Sequence, residues 1–376
     1  MPQDMRCQDV ETSGMPSLKR QPPTRPYYGR DGAPSHSWGG GCQTAAVTSP
    51  TTTPLGAALD RLLDGLPPRQ AAAAVERLIA SYRGRTVAAT PILRDRADAV
   101  AYAAYRMPAT HEAIAAALDQ LAARLPSWAP ASHLDLGGGT GAAVWAAADA
   151  WPGDRETVVV DWSEPALALG RELAAGTAPR VDWRRERLGP GVRLPAADLV
   201  TVSYLLGELP ETARDGVVDA AAEAAGAAVL VVEPGTPDGY LRVRAARDRL
   251  LAAGLRVVAP CPHDAACPIE PGSDWCHFAA RVGRSALHRR VKGGVLPYED
   301  EKFSYVAATR LPVGTSARAR VVRRPQLRKG QVLLDLCDPE PAAGLRRETV
   351  TRRQGAAYRA ARDTPWGAPW PAAADD

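Results

Sequence analysis

Two groups of residues in this chain have the types and spacing to do chemistry. The first is Leu134-Asp135-Leu136-Gly137-Gly138-Gly139-Thr140-Gly141, followed about 20 residues on by Asp161 and Trp162. Glycine tolerates positive φ and lets the backbone approach a ligand closely. An acid at that distance can accept hydrogen bonds from both hydroxyls of a ribose, with Trp162 beside the base. The pair points to a nucleoside-bearing cofactor. An ordinary tight turn, with Asp161 only capping the next helix, is the bland alternative. The second group is Cys261, Cys267 and Cys276, three of the six cysteines within 16 residues, joined later by Cys337. In a reducing compartment such a cluster holds metal more often than disulfides. Four thiolates satisfy either an iron–sulfur cluster or zinc. The spacing matches neither the Cys-x2-Cys of zinc ribbons nor Cys-x3-Cys-x2-Cys. Zinc on three cysteines plus His263 or His277 is the rival, and unligated buried cysteines are the bland reading. Cys7 and Cys42 lie near the N-terminus and are not expected to be ligands.

The elements that must position these residues alternate strand and helix, the pattern of an α/β sheet. An apolar strand runs into the glycines and an alanine-rich helix follows them. Thr157–Asp161 reads as the second strand, Arg180–Arg185 as the third, Ala197–Ser203 as the fourth and Ala227–Glu233 as the fifth. Helices are expected over Ser163–Ala174, Pro210–Ala225 and Tyr240–Ala253, the last closing at Gly254 as a C′ glycine. Ligands bind at the carboxyl ends of such strands. That gathers Gly137–Gly141, Asp161, Ser203–Glu208 and Glu233–Thr236 around one crevice. The Asp-x-Gly-x-Gly-x-Gly run differs from the dinucleotide fingerprint and resembles motif I of class I S-adenosylmethionine (SAM)-dependent methyltransferases. The expected SAM contacts are Asp135, Gly137, Gly139, Gly141, Asp161, Trp162 and Ser203. Ser203-Tyr204-Leu205-Leu206-Gly207-Glu208-Leu209-Pro210 stands where exocyclic-amine methyltransferases carry Asn/Asp-Pro-Pro-aromatic. No catalytic residue is assigned, although Tyr204 or Glu208 could orient a substrate.

A chain of 376 residues can hold two domains and a substantial core. The expected architecture is a Rossmann-like class I methyltransferase sheet over 131–310, with the cysteine loop at 260–277. A helical cap over 55–130 precedes it and a small basic β module over 311–376 follows. In the cap, helical stretches are expected over Leu55–Tyr82, broken at Pro67-Pro68 with a second helix carrying Val75, Leu78, Ile79 and Tyr82, and over Arg94–Leu125. The Arg94–Leu125 stretch is broken at Met107–Thr110, where Thr110 would cap its latter part. Residues 1–54, rich in Pro, Gly, Ser and Thr, are expected to be disordered, with Met15 as an alternative start. No signal-peptide core is evident, and no apolar run reaches the roughly 18 residues of a membrane span. A cytoplasmic protein without membrane contact is expected. From His277 onward the chain carries 19 Lys/Arg against 10 Asp/Glu, although the net charge is only +4. A basic C-terminal third suggests a polyanionic partner, with a solvated surface as the alternative.

Beyond these features, the chain resembles one family. The residues that carry the likeness are Tyr105–Thr110, Leu134–Gly141, Glu233–Pro237, Pro260–His263, Asp274–Phe278 and Tyr298–Tyr305. They resemble the methyltransferase-like family of small-ribosomal-subunit proteins found in mitochondria and bacteria, of which this would be a bacterial member. The likeness spans roughly residues 55–370. It implies a [4Fe-4S] cluster on Cys261, Cys267, Cys276 and Cys337, and a role in assembling the small subunit on its 16S rRNA. A DNA partner is not expected. An active rRNA methyltransferase is the alternative to a binding factor.

Chain order carries two further expectations. The cysteine loop follows the helix that leaves the cofactor side, so a cluster there would lie at the opposite end of the sheet, pinning the C-terminal segment through Cys337. A sixth strand at Phe278–Val282 would then deliver Arg284, His288, Arg289, Arg290 and Lys292 to RNA phosphates, ahead of a seventh strand at Phe303–Thr309. Strands over Arg318–Lys329 and Gln331–Leu336 would follow. Trp366 and Trp370 would cap an apolar groove or stack on bases.

Overall fold

Alternation of side chains across a strand decides how the sheet of this protein is covered. The computed structural model describes residues 54–63, 73, 75–77, 93–175, 180–189, 191–284, 296–314, 318–340 and 345–371. The N-terminal extension to residue 53, and His288, Arg289, Arg290 and Lys292, lie outside them. In β5 (Ala225–Pro234), Leu230 and Val232 pack with the N-terminal helices on one face, and Val229 and Val231 pack on the other. The first face is covered by α1 (Pro54–Leu63), α2 (Arg96–Tyr105), α3 (Met107–Arg124), α4 (Ala142–Ala150) and α5 (Glu164–Ala174). The second is covered by α6 (Glu211–Ala224) and α7 (Pro237–Ala252).

The remaining strands of this sheet are β1 (Ser132–Leu136), β2 (Glu156–Asp161), β3 (Val181–Arg185), β4 (Ala197–Ser203), β6 (Arg256–Ala259), β7 (Phe278–Gly283) and β8 (Tyr298–Thr309). Their order is β3-β2-β1-β4-β5-β8-β6, with β7 also on β8. The first five are parallel, and β8 is antiparallel to its neighbours. Chain order reverses between β1 and β4, which opens the crevice at their carboxyl ends.

The edge of this sheet departs from expectation. Phe278–Gly283 is not the sixth strand, because β6 precedes it. The four residues Arg256–Ala259 are too few to show a strand period. Ala259 pairs with Ala307 and Phe278 with Phe303, so β6 and β7 run the same way along one edge of β8. The cysteine loop is an excursion that breaks this edge strand in two. It therefore leaves the sheet part-way up its edge, not from the end remote from the cofactor crevice. β8 also begins earlier than expected, at Tyr298, because its charged first half is paired by β7.

Most of residues 64–92, and with them the expected helix up to Tyr82, lie outside the described residues; the described part of the helical cap differs in one detail. Asp95 caps α2 by accepting from the Asp98 amide at 2.8 Å. Only Arg106 separates α2 from α3, and Thr110 lies inside α3, with its amide bonded to the Arg106 carbonyl. Pro108 is tolerated because it occupies the first turn, where its missing N–H would have had no intrahelical acceptor.

A second, antiparallel sheet holds β9 (Ala319–Val321), β10 (Gln326–Arg328), β11 (Gln331–Cys337), β12 (Leu345–Thr351) and β13 (Pro369–Trp370). The expected strand over 318–329 is two short ones. α8 (Ala356–Asp363) covers the sheet, with Val332, Leu334, Leu336, Val350 and Trp370 in its core. Trp366 packs edge-on against His277, 5.1 Å between ring centres. Both tail tryptophans thus fill apolar contacts.

Candidate cofactor site and cysteine cavity

The glycine turn has the conformation its composition requires. Gly137, Gly139 and Gly141 have φ of 68°, 54° and 87°, values that L side chains adopt at a cost. A Cβ on Gly139 would meet only the Asp161 carboxylate, at 3.8 Å, so this position faces open space. Asp161, at the end of β2, accepts from the Gly139 amide at 3.0 Å and from the Ser163 amide at 2.7 Å. Burial raises its pKa, and these backbone donors oppose the rise. Each carboxylate oxygen keeps a lone pair for a further donor such as a ribose hydroxyl. Ser203, ending β4, has a buried hydroxyl without a partner among the described residues. Trp162 carries the Arg187 guanidinium 4.7 Å from its ring centre.

Asp135 stands apart from this group. It is 1% exposed and accepts from the Thr201 hydroxyl at 2.8 Å, beneath the turn. Thr201 in turn meets His133 Nε2 at 2.8 Å. Because Thr201 donates to Asp135, His133 must donate to Thr201, and its Nδ1 is left unpartnered. Burial pushes His133 down to about 3, so the ring is neutral. Burial pushes Asp135 up to about 7, with Asp161 adding to the rise. A Cβ on Gly138 would lie 2.3 Å from Asp135 Oδ2, so the middle glycine makes room for this carboxyl. Asp135 supports the turn from below.

Over the crevice lies a constellation that spacing alone did not reveal. Arg106, at the α2–α3 junction, makes two hydrogen bonds to Glu301 of β8, at 2.9 and 3.1 Å. The Tyr204 hydroxyl donates to the same carboxylate at 3.1 Å. Tyr204 has φ of 57°, the one non-glycine residue with positive φ among those described. Thr140 of the turn donates to the Met107 sulfur at 3.3 Å, which ties the helical cap to the cofactor loop. Glu208 is exposed, in the loop after β4. Desolvation, with Asp161 and Glu233 adding negative charge, pushes its carboxyl up to about 8. The visible clues were Arg106 within Tyr105–Pro108 and the charged run Glu299–Lys302 ahead of an apolar strand.

Cys261, Cys267, Cys276 and Cys337 line one cavity, together with Val243, Pro260, Ile269 and Phe278. The thiols are free. Cys337 Sγ lies 3.7 Å from His263 Nε2, and Cys267 Sγ lies 3.3 Å from the Tyr240 hydroxyl. His277 stacks on Trp275, 5.2 Å between ring centres. Among the described residues, no group of three or more His, Cys, Asp or Glu is arranged to hold a metal ion. Burial raises Cys276 well above its usual range and, with Cys261 and Cys267 nearby, pushes Cys337 up to about 12. These thiols stay protonated at neutral pH unless a cation replaces the protons.

Arginines shape this loop. Buried Arg247 of α7 donates to the carbonyls of His263 and Ala265 at 3.0 and 2.6 Å. Arg320 of β9 donates to the Pro260 and Gly367 carbonyls at 2.9 and 2.6 Å, and Arg323 pairs with Asp274. Trp275 Nε1 donates to the Gly235 carbonyl at 3.0 Å, at the end of β5. Laterally, β4, β5 and β8 separate the cavity edge from β1. Arg284, expected at an RNA surface, pairs with Glu299 at 3.0 Å.

Residues 96–371 match the family model described as mitochondrial small ribosomal subunit Rsm22. The chain belongs to this family. A relative is the human ribosome assembly protein METTL17, mitochondrial, 30% identical over 71% of this chain and 61% of the human one. Another is the Rsm22-cox11 tandem protein 2, mitochondrial, of Schizosaccharomyces pombe, 26% identical over 38% of this chain and 24% of that one. The matches thus span less than two thirds of these relatives' lengths. Among solved structures, a putative RNA methyltransferase from Pyrococcus horikoshii aligns over 52% of this chain and 80% of its own. Its identity is 16% and its TM-score 0.34. Magnesium protoporphyrin IX methyltransferase from Synechocystis aligns over 54% and 84%, with 12% identity and a TM-score of 0.35. The fold of this Rsm22-family chain is a mixed α/β sheet, with strands β3, β2, β1, β4 and β5 parallel and β8 antiparallel.

Proposed function

We propose that this Rsm22-family chain is a SAM-binding small-subunit assembly factor that acts by occupying 16S rRNA. The observation that carries the SAM assignment is the Gly137–Gly141 turn, with open space at Gly139 facing the Asp161 carboxylate and the unpartnered Ser203 hydroxyl nearby. The assembly role follows from family membership and from the names its relatives carry. Cys261, Cys267, Cys276 and Cys337 would hold a [4Fe-4S] cluster, with zinc on three of them plus His263 as the alternative. Their shared cavity and the buried guanidinium of Arg247 among them support this donor set. Such a group would supply a cross-link between the broken edge strand and Cys337 of the second sheet. The chain's own residues would do the rest. Asp161 orients the ribose, the helical cap excludes water, and the Arg106–Glu301–Tyr204 triad fixes the crevice wall.

A second reading, an active rRNA methyltransferase, is favoured by Tyr204 and Glu208. A backbone held at positive φ and a carboxyl raised to about 8 beside the cofactor crevice are features of sites that do chemistry. The experiment mixes anaerobically purified protein with immature small subunits and methyl-labelled SAM. Co-sedimentation without label in 16S rRNA is the result expected of the binding factor. Label that disappears in Gly139→Arg, where a side chain would fill the crevice at positive φ, selects the methyltransferase. Absence of co-sedimentation overturns the ribosomal reading. Iron with acid-labile sulfide in the same preparation is the result expected of the cluster; zinc alone selects the alternative.

A further inference from the structure

The second sheet uses its arginines in two ways. At the Cys337 end of β11, Arg346 pairs with Asp338 and Glu348, and Arg347 pairs with Asp335. Arg320 and Arg323 are committed to the cysteine loop. At the other end of β11, Arg328, Lys329, Arg352 and Arg353 are exposed, and none is in an ion pair among the described residues. Among the described residues, Arg328 reaches Gln326 of its own strand, at 3.4 Å.

The backbone gathers these four cations. Gln331 pairs in register with Arg328 on one side and with Thr351 on the other. The Arg352 amide donates to the Gly330 carbonyl at 2.9 Å. With strands about 4.8 Å apart, the four residues are rooted in a patch roughly 10 Å across. Gly330, Thr351, Arg352 and Arg353 line a cleft there. Its floor is stiff. Gly330 turns the hairpin at φ 78°, and Thr351 and Gln354 lock the following 3-10 turn in a capping box.

Like charges crowded on a stiff corner repel one another, and a polyanion relieves that cost. Guanidinium forks match phosphate oxygens in pairs. A single exposed leucine, Leu327 at 63%, stands beside the patch, far less apolar surface than an interfacial membrane anchor needs. We propose that the β10–β11 hairpin and the turn after β12 form a phosphate-binding corner that grips the sugar–phosphate backbone of RNA. The proposal rests on the rRNA reading above and gives it a place on the molecule.

The test compares three full-length proteins on an in vitro transcript of the small-subunit rRNA. They are wild type, the quadruple variant Arg328→Gln/Lys329→Gln/Arg352→Gln/Arg353→Gln, and the control Arg346→Gln/Arg347→Gln. Each phosphate contact contributes about 0.7–0.9 to the slope of log affinity against log salt. The quadruple variant should therefore lose roughly 3 from that slope, and about tenfold or more in affinity near physiological salt. The control should lose less than about 1. All four substituted residues are exposed, so an unchanged circular dichroism spectrum and Tm are expected. Wild type that binds the transcript with a slope the quadruple variant retains overturns the corner and leaves the rRNA reading standing. Equal losses per charge removed in both variants show general charge attraction and also overturn it. Wild type that ignores the transcript overturns both readings. Retention on phosphatidylserine vesicles, abolished in the quadruple variant while RNA binding persists, reassigns the corner to a membrane surface.

Discussion

His111 shows how one buried residue can carry a pH dependence. It lies between α3 and α4 at 5% exposure, with Nε2 3.0 Å from Asp149 and Nδ1 3.6 Å from Glu112. Burial lowers its pKa, but the hydrogen bonds to Asp149 and Glu112 outweigh burial and raise it to about 9. The folded value is above the unfolded one of about 6.5. The stabilisation is therefore complete below about pH 6.5 and is lost as pH rises through about 9. Its size is on the order of 2 kcal/mol. Tm measured against pH for wild type and His111→Gln should show a gap that closes above pH 9; a gap constant across that range would reject the ion pair. None of this was legible in the sequence, because His111 and Asp149 meet only when α3 packs on α4. The place of Asp161 at the end of the second strand, beside the glycine turn, was legible, because the alternation of strand and helix puts it there. Tyr204 was visible only as the lack of a known box, since a positive φ on an aromatic residue leaves no compositional trace.

At the scale of elements, the Arg106–Glu301 pair joins the helical cap to the sheet. Arg106 sits in the single-residue break between α2 and α3, and its fork closes on β8 with side-chain exposures of 28% and 14%. Removing one partner leaves the other charge half-buried and short of acceptors or donors. Glu301→Leu or Arg106→Leu alone should each cost about 3 kcal/mol, and the double variant much less than the sum. Urea unfolding of the four proteins gives the coupling directly, and additive losses would show that the pair holds nothing together. If the cap closes the cofactor crevice, the single variants also weaken SAM binding measured by calorimetry. Strong periodic elements such as β1, β4 and β5 were readable because Val and Leu runs must be covered on both faces. The interrupted edge was not. Arg256–Ala259 is too short to show a period, and its partner on β8 lies about 50 residues downstream. That misplacement is why the cysteine loop was expected at the wrong end of the sheet, although the lateral separation from β1 keeps it away from the glycine turn.

For the whole molecule, the question is what fixes the second sheet to the first. Arg320 and Arg323 bridge to the loop, Trp366 packs on His277 and Phe278, and Cys337 ends β11 at the thiol cavity. Most of these contacts fall on the cysteine excursion, with Phe278 of β7 beside it and a 2.7 Å hydrogen bond from Arg320 to Gln120 of α3 added, so the loop is a main tie between the two sheets. On the proposed cluster reading, the four thiolates add a covalent strap whose loss should loosen the second sheet while sparing the first. Cys337→Ser removes one ligand and is nearly isosteric, so packing around β11 changes little. Hydrogen exchange of the anaerobically purified protein should then rise across β9–β13 and stay unchanged in β1, β4 and β5, whose amides are protected by the parallel sheet itself. Chelation of the wild type should reproduce the same map. Loss of protection throughout the chain would make the cavity part of the global core, and unchanged protection in β9–β13 would show that the arginines and Trp366 hold the second sheet unaided.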